Sequence, residues 1–174
     1  GPLALAGIMG GRDSAITDNT HRLFLESAFF NPLTLAGRAH TYGLSTDATH
    51  RFERFVSPEL PMVAIELATK LILEIAGGSA GPLVIVRDEK ALPKPRTIQL
   101  RYERVARLLG ITLEKPQITE LLRRLNMNCL ETQEGWEVTV PLYRFDVQQE
   151  VDLIEEIARI YGYDNITPTE AIIT

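Results

Sequence analysis

Residues 127–140 read Met-Asn-Cys-Leu-Glu-Thr-Gln-Glu-Gly-Trp-Glu-Val-Thr-Val, and this stretch decides the fold of the C-terminal half. Met127–Leu130 and Trp136–Val140 are short β-prone runs that straddle Thr132-Gln133-Glu134-Gly135, a hairpin signal. Pro141 ends the ribbon because it cannot donate to a ladder. Working upstream, Gln117–Leu125 is a helix after Pro116, Tyr102–Leu109 a helix closed by Gly110, and Thr97–Leu100 a short strand. Downstream, Glu150–Tyr161 is a last helix ended by Gly162. Strand, helix, helix, hairpin and helix form a winged-helix-like pattern that other small α+β folds share. The predicted class for the whole chain is α+β, with this winged-helix-like unit preceded by a mixed α/β unit.

Further upstream the chain changes character. Arg87–Arg96 is charged, holds two prolines and shows no periodicity, which suits a linker. Before it, Ser57-Pro58-Glu59 is a helix start, and Val63, Leu67, Leu71 and Ile75 follow at four-residue spacing until Gly77-Gly78. Ala4–Gly11 reads as an apolar strand running into a Gly-Gly turn, Arg22–Phe30 as a buried strand, and Leu33–Tyr42 as a short helix. The predicted division is 1–86, a linker over 87–94, a second unit over 95–170 and a tail over 171–174.

Composition narrows the class. Of 174 residues, 45% are hydrophobic and 24% charged, the balance of an ordinary globular chain rather than of collagen or low-complexity disorder. The single cysteine, Cys129, excludes an internal disulfide and a cysteine-based zinc site. No apolar run approaches the length of a membrane span; the best candidate, Met62–Ala76, is interrupted by Glu66, Lys70 and Glu74. Gly1-Pro2-Leu3 has neither an initiator methionine nor a signal peptide's basic region, so the chain reads as a piece of a longer one. The net charge of −5 counts against a free-standing nucleic-acid binder. That charge is uneven: residues 95–126 carry net +4 and residues 127–174 net −8.

Two constellations could carry chemistry. Asp152, Glu155 and Glu156 fall at i, i+3 and i+4 on one helix face, with Asp146 just before. Like charges at that spacing repel unless something cationic lies between them, and no basic residue follows Asp146 until Arg159. Hard oxygen ligands suit magnesium, and a solvated acidic helix face is the plain alternative. In the first part, Gly7-Ile8-Met9-Gly10-Gly11 permits close backbone approach without the spacing of a phosphate loop. Glu26 stands in an apolar run, where a carboxylate must pair, protonate or face a polar cavity; Arg22 and Arg51 are candidate partners. Thr46–Arg54 is a dense polar run whose His50 is more simply structural than a general base. No Ser-His-Asp or Cys-His arrangement can be defended.

Five strings extend this picture: AGIMGG (6–11), LESAFF (25–30), GRAHTYGLSTDATHRFER (37–54), AGGSAGP (76–82) and VPLYRFDVQQEVDLIEEIARIYGYDNI (140–166). Together, in order and with compatible gaps, they resemble the bacterial phenylalanyl-tRNA synthetase beta-subunit family over essentially the whole chain. The resemblance implies that residues 1–86 are the C-terminal half of an editing domain that hydrolyses tyrosine wrongly attached to the phenylalanine tRNA. Gly7, Gly10, Glu26, Thr46 and Ala48 would line its pocket. Residues 95–170 would be the fifth, winged-helix-like domain, with Asp146, Asp152, Glu155 and Glu156 at the family's magnesium positions, a site shared with the alpha subunit.

The same resemblance implies a cytoplasmic alpha-two beta-two ligase that uses ATP, magnesium, phenylalanine and tRNA. The isolated chain is not expected to aminoacylate, since that catalytic site belongs to the alpha subunit. The upstream half of the editing domain, with a pocket histidine, is also missing here. One departure stands out: the family's RFERGVDPE reads RFERFVSPE, with Phe55 in the glycine place and Ser57 in the aspartate place. The rival class is a non-enzymatic winged-helix module that binds nucleic acid or protein.

Overall fold

The computed structural model describes residues 1–167; the end of the second predicted unit (168–170) and the predicted tail (171–174) lie outside the described residues. The chain separates into two compact units, Gly1–Pro93 and a second beginning at Lys94. It is an α+β protein of helices and short antiparallel strands.

The first unit opens with β1 (Ala4–Leu5) and β2 (Met9–Gly10), paired antiparallel with Ala4 opposite Gly10 and Leu5 opposite Met9. The expected continuous strand over 4–11 is therefore a tight hairpin. Gly7 makes the reversal at φ +70°, and a Cβ there would fall 2.8 Å from Leu35 Cδ1 and 3.1 Å from Phe30 Cδ2. Only glycine satisfies both the left-handed backbone and that packing.

Two short helices follow, α1 (Pro32–Leu35) and α2 (Arg38–Thr41). Asn31 caps α1 by accepting from the Leu33 amide at 3.0 Å, and Pro32 takes the first helical position. The single helix expected over 33–42 is split at Gly37, whose φ of +73° breaks the α ladder. Helix α3 (Asp47–Phe52) comes next, then α4 (Leu60–Ala76), which stops at Gly77 with φ +71°. The α4 start lies three residues beyond the expected Ser57 cap. Ser57 Oγ instead accepts from the Glu59 amide at 3.3 Å within a turn, and Pro61 occupies the first turn of the helix.

The core of this unit is small. Ile8, Leu35 and Ala39 are buried, with Phe30, Leu44 and Phe52 against them and the Phe30 and Phe52 rings edge to face at 4.9 Å. Arg22–Phe30 forms neither helix nor the buried strand expected: among the described residues it has no ladder partner, and Leu23, Phe24 and Leu25 are exposed. Alternation specifies a strand only where another strand supplies its hydrogen bonds. The apolar stripe of α4, Val63, Leu67, Leu71 and Ile75, is exposed as well.

The second unit is better packed. Strand β3 (Arg96–Arg101) leads into α5 (Tyr102–Leu109), then α6 (Lys115–Arg123), β4 (Asn128–Glu131), β5 (Gly135–Val140) and α7 (Glu150–Tyr161). The sheet order is β3-β5-β4, antiparallel throughout, with Leu100 opposite Trp136 and Ile98 opposite Val138. Alternation sends Ile98, Leu100, Trp136, Val138 and Val140 inward and leaves Thr97, Gln99, Glu137 and Thr139 on the outer face, where Gln99 donates to Glu137. Helices α5, α6 and α7 contribute Val105, Ile118, Leu122, Leu153 and Ile157 to the core. Each such side chain contributes about 1.5–3 kcal/mol relative to exposure.

Polar groups drawn into this core find partners. Trp136 Nε1 donates to Thr119 Oγ1 at 3.0 Å, and the Tyr102 hydroxyl donates to the Leu113 carbonyl at 2.9 Å. Gly110 closes α5 in the left-handed region at φ +70°. Helix α6 begins two residues before its expected start because Pro116 is tolerated within the first turn.

Candidate functional site

In the first unit, the hairpin turn and the segment before α3 are tied by side chains. Thr46 Oγ1 donates to the Ile8 carbonyl at 2.8 Å and accepts from the Thr49 amide at 3.1 Å. Thr49 returns the arrangement: its Oγ1 accepts from the Thr46 amide at 3.1 Å and donates to the Thr46 carbonyl at 2.8 Å. This reciprocal pair is a capping box built from two threonines. Thr49 is buried, while Thr46 and Ala48 are half-buried.

Of the five expected pocket residues, Gly7 and Thr46 are brought together through Ile8, which follows Gly7 in the turn. Gly10 stands in open space, with nothing within 4 Å of where a Cβ would be. Glu26 is exposed and makes neither hydrogen bond nor ion pair among the described residues, so neither Arg22 nor Arg51 neutralises it. Its carboxylate oxygens are available to a ligand. Phe55, in the family's glycine place, has φ +78°, a conformation glycine adopts freely and a bulky residue resists. Its ring meets Phe29 edge to face at 6.0 Å.

The acidic constellation of the second unit is organised by a residue that the spacing did not single out. Arg144, in the loop after β5, donates from Nε and Nη2 to Asp146 at 2.9 and 2.6 Å and from Nη1 to Glu156 Oε2 at 2.8 Å. Arg159 adds a bond to Glu156 Oε2 at 2.5 Å. These contacts hold the Glu156 carboxyl down at about 2, with Arg144 the first cause and Arg159 the second, against a smaller opposing effect of burial. Asp146 is lowered as well, chiefly by the hydrogen bonds from Arg144, whose own pKa is raised in return.

Asp152 is occupied differently. Its Oδ2 accepts from the Gln148 and Gln149 amides at 2.8 and 2.9 Å, half of a capping box that starts α7. Glu155 is exposed. Next to this set, Glu150 accepts from the Arg101 amide, Nε and Nη2, and Arg104 Nε stands 3.2 Å away without hydrogen-bond alignment. Among the described residues, no three His, Cys, Asp or Glu side chains are gathered so as to hold a metal ion. Of the four carboxylates at the expected magnesium positions, two are bridged by a guanidinium, one caps a helix and one stands apart. The cation between like charges is Arg144.

Comparison with known proteins gives each unit a counterpart. Residues 1–77 match the B3/4 domain family, and residues 98–163 match the tRNA synthetase B5 domain family. A phenylalanine--tRNA ligase beta subunit from Nitrosococcus oceani is 56% identical over 170 residues, covering 98% of this chain and 21% of that protein. One from Xanthomonas euvesicatoria is 52% identical over 168 residues, covering 97% of this chain and 21% of that protein. One from Pectobacterium atrosepticum is 48% identical over 171 residues, covering 97% of this chain and 22% of that protein. The chain thus spans about a fifth of the length of these relatives. Among the described residues no helix is long and apolar enough to cross a membrane. With a B3/4 match, a B5 match and such relatives along nearly its whole length, the chain belongs to the phenylalanine--tRNA ligase beta-subunit family.

Proposed function

We propose that the first unit forms part of a pocket in which tyrosine wrongly esterified to the phenylalanine tRNA is hydrolysed. The observation that carries this reading is the Thr46 Oγ1 bond to the Ile8 carbonyl at 2.8 Å, which brings two segments of the expected pocket onto one small scaffold. Tyrosine exceeds phenylalanine by one hydroxyl. The unpartnered carboxylate of Glu26 is suited to accept a hydrogen bond from it, and a site built around that bond disfavours the phenylalanyl ester, which leaves the acceptor unmatched. Ala48 and Gly10 leave room for the ring.

No side chain among Gly7, Gly10, Glu26, Thr46 and Ala48 is an activated nucleophile, so a positioned water is the attacking group. Its oxygen bonds to the ester carbonyl carbon, and the bond from that carbon to the terminal ribose oxygen breaks. The ribose oxygen leaves with a proton derived from the water, giving free tyrosine and uncharged tRNA.

The full beta subunit in this proposal works with an alpha subunit as a cytoplasmic alpha-two beta-two ligase that attaches phenylalanine to its tRNA with ATP and magnesium. No step is assigned to a metal at Asp146, Asp152, Glu155 or Glu156. The test is hydrolysis of tyrosyl-tRNA and phenylalanyl-tRNA by the assembled enzyme. The expected result is a preference for the tyrosyl ester of about 10²-fold or more, in the direction set by a site that recognises a hydroxyl. Equal rates would refute the proposed pocket.

A further inference from the structure

Resting on the pocket proposed above, we infer that Thr49 is a positioning residue that fixes Thr46 as a hydrogen-bond acceptor toward the ligand. A threonine hydroxyl has one proton and two lone pairs. The Thr46 proton has two possible acceptors, the Ile8 carbonyl at 2.8 Å and Thr49 Oγ1 at 3.2 Å. The Ile8 carbonyl takes it as the nearer of the two. One Thr46 lone pair receives the Thr49 amide. What remains for a ligand is a single lone pair and no proton.

Thr46 therefore cannot donate to a developing oxyanion. It orients a group that donates, and for ester hydrolysis that group is an O–H of the attacking water. The Thr49 side chain supports this arrangement through the Thr46 backbone, without touching the ligand. Its own proton is committed to the Thr46 carbonyl at 2.8 Å, it is 5% exposed, and it holds the Thr46 backbone in the extended conformation that aims Oγ1 at Ile8. Without the Thr49 hydroxyl, the Thr46 amide loses its partner and the Thr46 carbonyl keeps only the His50 amide at 3.0 Å. The Thr46 backbone is then held less firmly, and with it the direction in which Oγ1 carries its bonds to the Ile8 carbonyl and the Thr49 amide.

The experiment uses the full-length beta subunit assembled with its alpha partner, with tyrosyl-tRNA as the probe. Thr49→Val keeps the shape and removes the hydroxyl. The expected result is a fall in kcat for tyrosyl-tRNA hydrolysis of about 10-fold to 100-fold, the scale of a misplaced positioning group, with KM within about twofold. Thr49→Ser restores the rate, and phenylalanylation is unchanged in both variants. If Thr49→Val also lowers phenylalanylation through poor assembly, Thr49→Ala against Thr49→Ser provides the same comparison with less crowding. Unchanged kcat in the hydroxyl-free variant, or Thr49→Ser as slow as that variant, would overturn the inference. Glu26→Ala separates the two levels. Loss of hydrolysis in Glu26→Ala with full activity in Thr49→Val sinks only the inference, whereas full activity in both sinks the pocket itself.

Discussion

Replacing Arg144 by glutamine tests whether the acidic cluster is held by a guanidinium. The Arg144 side chain is 18% exposed and that of Glu156 10%, while Asp146 is 51% exposed. Removing one partner of a fully buried pair costs about 3–5 kcal/mol because the other charge is left stranded. Here Glu156 keeps Arg159, and Asp146 turns to water. The depression of Glu156 to about 2 caps the stabilisation by both arginines at about 3 kcal/mol, using 1.36 kcal/mol per pH unit. Sharing it with Arg159, screening by solvent and adding a small contribution from Asp146 leave about 1–2 kcal/mol for Arg144→Gln.

Urea unfolding followed by fluorescence isolates the effect, because Trp136 is the only tryptophan and lies buried in the second unit. The pH dependence gives an independent check. A carboxylate with a lowered pKa stabilises fully above its unfolded value, near 4.5, and that stabilisation is lost as pH falls toward about 2. Through that window the unfolded chain takes up the proton first, so stability declines with acid. Arg144→Gln should flatten this decline as well as lower stability at neutral pH. An unchanged midpoint at pH 7, or an acid profile identical to wild type, would refute the bridging role.

Three further outcomes follow from the same geometry. Gly135→Ala places a Cβ 2.0 Å from the Leu100 carbonyl oxygen, so the β3–β5 pairing must shift; the Trp136 unfolding midpoint should register a loss of about 3 kcal/mol, and a change under 1 kcal/mol would count against the register. Burial raises the Cys129 thiol above its ordinary pKa, so iodoacetamide at pH 7.5 should label it slowly until urea unfolds the second unit; rapid labelling of the folded chain would contradict its half-buried setting. Magnesium or a chelator should leave the Trp136 midpoint unmoved, since Arg144 already bridges Asp146 and Glu156; a rise with magnesium that vanishes in Glu156→Gln would show the ion displacing it.

The second unit was legible because its local signals agree. Gly110 and Gly162 mark helix ends, Thr132–Gly135 marks the hairpin, and the inward residues of β3 and β5 alternate as a half-buried sheet requires. In the first unit, local pattern was a weaker guide. Nothing in the apolar run 4–11 shows that Gly7 will reverse it, since that depends on Phe30 and Leu35 closing over the glycine. Arg22–Phe30 alternates like a strand, yet a strand also needs a partner, which periodicity does not reveal.

The candidate site divides in the same way. Thr46 enters as a candidate through the family resemblance, whereas Thr49 carries no chemistry-bearing signal of its own and is tied to Thr46 by a reciprocal bond. A Thr-x-x-Thr spacing ahead of a helix was the available signal. Helix-face spacing does not reveal Arg144, because the cation reaches these carboxylates from the preceding loop. The family resemblance supplied the candidate pocket residues, and it could not convey that Asp146 and Glu156 are already neutralised.

The most direct test of the proposed pocket is the ratio of tyrosyl-tRNA hydrolysis to phenylalanylation for Glu26→Ala in the assembled full-length enzyme. Loss of the acceptor for the tyrosine hydroxyl predicts a ratio lowered by about 10²-fold or more, with phenylalanylation intact. A ratio equal to wild type would contradict the assignment of Glu26, and with it the proposed function of the first unit.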